Sequence, residues 1–110
     1  MTIQRALILR AMLETPLEDW YGLELAETAG LKTGTIYPAL AALEQTGLLT
    51  STWEEIDPAH EGRPRRRFYR LVPERVADAR SYVDQFDVAL NPTRAPARGS
   101  LRVLPRSQTA

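Results

Sequence analysis

The sequence predicts a mainly α-helical fold with one small β-hairpin. Apolar residues recur at helical spacing over the first half and again after Pro73. Two β-rich runs, 48–55 and 65–72, flank a stretch dense in turn residues at 57–64. The third observation is charge. The stretch "EGRPRRRFYRL", residues 61–71, places five arginines within eight positions, in a chain of zero formal net charge.

Residues 3–14 read as a helix that is apolar on nearly every face and ended by Pro16. Such a helix must be covered on more than one side, and in a small protein a second subunit can supply one cover. Residues 20–29, "WYGLELAETA", read as a short amphipathic helix with Leu23, Leu25 and Ala26 toward the core and Gly30 as its stop. In "TIYPALAALEQTG", Ile36, Leu40 and Leu43 recur at i, i+4 and i+7 and mark one buried stripe. Thr33 or Thr35 is the expected N-cap, and Gly47 the stop. Pro38 is tolerated if Thr35 caps and costs one hydrogen bond if Thr33 does.

"LLTSTWEE" and "RRRFYRLV" are the two strands, with a long charged tip between them. Pro73 opens a last helix in which Val76, Ala79, Val83, Phe86 and Leu90 step by three and four, an a/d seam ended by Asn91-Pro92. Residues 91–110 hold four arginines, three prolines and no acid, and read as a basic disordered tail. The expected boundaries are a helix-and-hairpin unit over 1–72, the last helix over 73–90 and the tail over 91–110.

Charge is segregated along the chain. Residues 1–61 carry three bases and ten acids (3 − 10 = −7); residues 62–110 carry eleven bases and four acids (11 − 4 = +7). All bases but Lys32 are arginine, whose planar fork suits phosphate. There is no cysteine, which excludes disulfides and thiolate zinc sites and fits a reducing cytoplasm. No apolar run spans a membrane, and no signal peptide is expected in "MTIQRALILRAMLE". The single histidine, His60, falls in a loop, where a metal site would need several convergent ligands. No nucleophile–base arrangement or phosphate-cradling glycine loop is present, so neither an enzyme nor a cofactor is expected.

Three helices followed by a hairpin is the order of a winged helix-turn-helix. In that arrangement the third helix enters the DNA major groove and the hairpin, the wing, reaches flanking phosphate. Arginines on the wing anchor the protein without reading sequence. With Ile36, Leu40 and Leu43 buried, the outer face of the third helix carries Pro38, Ala41, Ala42 and Gln45, small enough to lie close in the groove, with one amide suited to adenine. A dimer neutralising on the order of 8 phosphates would show a salt slope near −7. A plain solvated hairpin tip would need only one or two charges. The rival reading is a protein–protein adaptor whose arginines meet an acidic partner.

The segments "YGLEL", "GTIYPAL", "LEQTGLL" and "GRPRRRFYRL", in this order and spacing, resemble the PadR family of bacterial transcriptional regulators over about residues 3–90. The resemblance implies a cytoplasmic winged-helix repressor, on the nucleoid when bound to DNA. It implies a DNA-binding homodimer joined through the first and last helices; a two-fold dimer sets its third helices about one DNA turn, roughly 34 Å, apart, so a pseudo-palindromic operator on double-stranded DNA is expected. It also implies a small hydrophobic or aromatic effector that relieves repression. By the family pattern Lys32, Thr33, Thr35, Tyr37, Pro38, Arg63, Arg65, Arg66, Arg67 and Tyr69 are the DNA contacts, to which the outer-face reading adds Gln45. Ile3, Leu7, Val76, Val83, Phe86 and Leu90 form the expected dimer interface, although the last-helix seam can equally pack on the chain's own first helix. Where the family often has Thr-Pro-x-Gly, this chain has Val72-Pro73-Glu74-Arg75, so the last helix lacks its capping Thr. Trp20 and Tyr21 are expected to pack at a helix entry, and Trp53 to pack the wing on the core.

Overall fold

The computed structural model describes residues 2–87. Leu90 and the 91–110 tail lie outside the described residues. Five helices and three short strands follow one another: α1 (Ile3–Leu13), β1 (Trp20–Tyr21), α2 (Gly22–Ala29), α3 (Thr33–Gln45), β2 (Leu49–Trp53), α4 (Pro58–Glu61), β3 (Arg67–Leu71) and α5 (Val76–Gln85).

The Thr2 hydroxyl starts α1 by accepting from the Arg5 N–H at 3.3 Å. Ile8, Leu9 and Met12 of this helix meet Leu25 of α2, Ile36, Leu40 and Leu43 of α3, and Leu71 of β3, all fully buried. The stripe expected on α3 is therefore the centre of the core. α5 lies against α1, with Ala79 fully buried and Val76 and Val83 half-buried against the same cluster. Val76, Ala79 and Val83 of the seam thus pack on the chain's own core beside α1.

Several boundaries differ from the sequence reading. Trp20 and Tyr21 do not begin a helix. They form an edge strand antiparallel to β3, Trp20 opposite Tyr69 and Tyr21 opposite Phe68, giving the sheet order β1-β3-β2. The hairpin is thus two strands of a three-stranded sheet. The signal was the β-propensity of two adjacent aromatics, but their partner lies far along the chain, beyond any local window. The Glu24 carboxylate accepts the Tyr21 N–H at 2.8 Å, which starts α2 at Gly22. Leu23, expected toward the core, is 57% exposed, because at 3.6 residues per turn it lies about 200° around the helix from the buried Leu25.

Neither Thr33 nor Thr35 caps α3. Lys32 is the N-cap, its carbonyl accepting from Thr35 and Ile36 at 2.9 Å each and its side chain making no capping bond. Pro38 consequently lies in the helix interior, where it forfeits the bond its N–H would have made to Gly34. The hairpin strands are shorter than the runs that predicted them. Their connection contains α4, because Asp57-Pro58 and Gly62 are helix start and stop signals as well as turn signals. The Asp57 carboxylate accepts from the Ala59 N–H at 3.1 Å, and Gly62 adopts φ 70°. After β3 a 3₁₀ turn, Pro73–Arg75, leads into α5, whose start has no side-chain cap, as the absent threonine implied.

Candidate nucleic-acid interface

Register decides which wing residues face where. Leu49 pairs with Leu71, Ser51 with Tyr69 and Trp53 with Arg67. Side chains alternate across a strand, so these three pairs share one face. The first is core. The third extends past the core's edge, and Trp53 is 57% exposed. Trp53 therefore does not pack the wing on the core. It shares a face with the core residues but lies beyond the helices that would cover it. Tyr69, expected among the DNA contacts, is the converse case at 6% exposed: it closes the core, and burial raises its phenol pKa.

The arginines divide into two sets. Arg63 grips Glu54 within the loop. Arg67 donates from Nε to the Ser51 hydroxyl at 3.0 Å and lies 3.9 Å from Glu44, while Ser51 donates to Glu44 at 2.6 Å. This bridge ties the wing to the end of α3. The Arg67 guanidinium also covers the Trp53 ring at 4.9 Å. Arg70 is paired with Asp19 at 2.8 Å. The other set is Arg65 and Arg66, both exposed and without an ion pair among the described residues. Arg65 donates from Nε to the Ile56 carbonyl at 3.0 Å, which leaves the fork end outward. Arg66 lies over the Tyr21 ring at 4.8 Å, and that ring in turn stacks on Phe68 at 4.6 Å.

On α3, Lys32, Thr33 and Thr35 are exposed at the start, Tyr37 and Pro38 follow, and Gln45 is exposed in the last turn. Thr33 and Gln45 are about 18 Å apart along the axis at ~1.5 Å per residue. Between α3 and the wing runs a cleft of about 480 Å³. Tyr21, Gly22, Leu23 and Glu24 line it on one side, Trp53, Arg65 to Arg67 and the edge of Tyr69 on the other, with Tyr37 between them. Gly22 has a steric role here: a Cβ at that position would lie 2.7 Å from the Tyr37 ring. The structure thus brings Tyr37 together with Arg65 and Arg66, and adds Tyr21, Leu23 and Trp53, which the sequence reading assigned elsewhere. The dimer candidates Ile3, Leu7, Val76, Val83 and Phe86 are all half-buried on α1 and after the 3₁₀ turn, away from this cleft's lining.

The fold is similar to that of a PadR family transcription regulator from Clostridium difficile R20291, with TM-score 0.61 and 24% identity over 84% of this chain and 95% of that one. A PadR family regulator from Eggerthella lenta matches with TM-score 0.58 and 23% identity over 89% and 88% of the two chains. Bordetella bronchiseptica BpsR, whose DNA binding is regulated by 6-hydroxynicotinic acid, matches with TM-score 0.61 and 15% identity over 97% of this chain and 72% of that one. At these identities the likeness is one of fold. No curated protein sequence matches the chain. The family model does match: it spans residues 12–74, more than half of the chain and the whole of α2, α3 and the wing, so this chain belongs to the PadR-like family of transcriptional regulators.

Proposed function

We propose that this regulator is a homodimeric repressor that binds a pseudo-palindromic operator and releases it on binding a small aromatic or hydrophobic effector. The observation that carries the DNA reading is the placement of two unpaired arginines, Arg65 and Arg66, across one cleft from Tyr37 of α3. α3 offers a small, exposed outer face to the major groove, and the wing offers fixed cations to the flanking backbone. Among the described residues, Lys32, Arg65 and Arg66 are the cations outside protein ion pairs on this side. Two protomers then neutralise about 6 phosphates, and the salt slope is about −5. That is shallower than a count of every wing arginine gives, because Arg63 and Arg67 have carboxylate neighbours.

Dimerisation through α1 and α5 fits their partly covered apolar residues. The effector rests on the family resemblance, and the BpsR structure offers an instance in the same fold. The test is a footprint on the DNA upstream of the protein's own gene. Protection of two half-sites about one helical turn, roughly 34 Å, apart is expected. Weak, unphased binding that disappears as salt rises would leave the arginine electrostatics alone and move the adaptor reading, with an acidic protein partner, to the front.

A further inference from the structure

Four large hydrophobic side chains are conspicuously exposed among the described residues: Leu17, Leu23, Tyr37 and Trp53. Three of them line the one cleft between α3 and the wing. Exposed apolar side chains scattered singly need no explanation, but convergence on one cleft does. The same cleft is rimmed by Arg65 and Arg66, which have no ion pair among the described residues, while the carboxylate in its lining, Glu24, accepts the Tyr21 N–H. Its occupant must therefore present anions and apolar surface side by side. A strand of DNA does so, since phosphates alternate with deoxyribose rings.

We propose that the cleft seats the sugar–phosphate backbone of one DNA strand, with Trp53 and Leu23 packed against deoxyribose and Arg65 and Arg66 on the adjoining phosphates. This rests on the DNA-binding reading above. It assigns Trp53 and Leu23, both uncharged, a share of the affinity that salt cannot screen. Arg67 is the positioning residue. Its guanidinium lies on the Trp53 ring while Ser51 and Glu44 fix its other side, so the indole is held in place relative to α3. A deoxyribose contact is blind to base identity, so the contribution is the same on operator and unrelated duplex.

The test is DNA affinity against salt for the full chain, on the footprinted operator and on an unrelated duplex of equal length. Trp53→Ala is expected to weaken both duplexes by about tenfold per protomer, as when about 60 Å² of apolar surface stays wet, with the salt slope unchanged. Leu23→Ser, which leaves the wing intact, should do the same to a smaller degree. Trp53→Phe should retain most of the affinity. DNA should also change the tryptophan fluorescence of the parent, and that change should vanish in Trp53→Phe, where Trp20 remains. Unchanged affinity in both Trp53→Ala and Leu23→Ser would overturn the proposal while leaving the DNA reading intact. A flattened slope would overturn it too, because the contact would then be electrostatic. A parent that binds neither duplex would instead overturn the DNA reading on which it rests.

Discussion

Arg63 and Glu54 are joined by two parallel bonds, Nη1 to Oε1 at 2.7 Å and Nη2 to Oε2 at 2.9 Å. The same carboxylate accepts the Arg66 N–H at 3.2 Å. One acid therefore ties together both ends of the wing's connecting loop. The Arg63 hydrogen bonds hold the Glu54 carboxyl down to about 2, from 4.5. A depressed carboxyl stabilises the folded loop above its ordinary pKa and loses that effect as pH falls toward the folded value. Amide exchange in residues 54–66 should thus accelerate as pH drops from 4.5 toward 2, after correction for intrinsic rates. In Glu54→Gln it should be fast throughout, with helix content preserved.

The pairing of Arg63 separates its expected behaviour from that of its neighbours. Arg66→Ala removes a free cation, so it should weaken all DNA sequences alike and flatten the salt slope by about 2 for the dimer. Arg65→Ala should match it. Arg63→Ala removes a loop staple instead. It should weaken binding through a disordered wing and leave the slope nearly that of the parent. Equal slopes for the parent and Arg66→Ala would remove phosphate contact from the wing.

Sequence reading has a different substrate on α3. Thr35 is near the start of the helix and Gln45 in its last turn, both exposed. If both reach base edges, they reach different positions of a half-site. Thr35→Ala and Gln45→Ala should each relax preference at one position by about 1–3 kcal/mol, at separate positions, as read by binding selection on randomised half-sites. Preference unchanged in both variants would assign discrimination to DNA shape.

The core was legible where periodicity alone sufficed. Ile36, Leu40 and Leu43 were readable because one helical stripe meets one core, and all three are fully buried. Gly30 and Gly47 were readable as stops, and both take positive φ, 71° and 82°. The misreadings at Trp20, Tyr21, Trp53 and the wing arginines share a cause, which is dependence on distant partners, whereas the Lys32 cap and α4 were missed because local signals serve both turns and helix ends. Trp20 and Tyr21 are a strand only because β3 pairs with them. Trp53 alternates correctly onto the face of Leu49, but no spacing rule states where the core ends along that strand. The division of the arginines into paired and free depended on Glu54, Glu44 and Asp19, which are remote or separated by a loop of uncertain path. Composition disclosed the positive charge of the wing, and only the fold discloses which charges remain available.

The expected dimer interface gives a final prediction. Leu7 is half-buried in the protomer while Ile8 and Leu9 beside it are fully buried. α1 therefore has a covered side, against α2, α3 and α5, and a second apolar side that its own chain covers only in part. If a second subunit covers it, Leu7→Asp buries an unpaired carboxylate in the dimer but leaves it partly in water in the monomer. The variant should keep its helix content and sediment as a monomer at concentrations where the parent is a dimer. Because each protomer then carries only its own phosphate contacts, the salt slope should halve, to about −2.5, and the two-half-site footprint should disappear. A Leu7→Asp protein that remains dimeric and protects the full site would place the interface elsewhere on the chain.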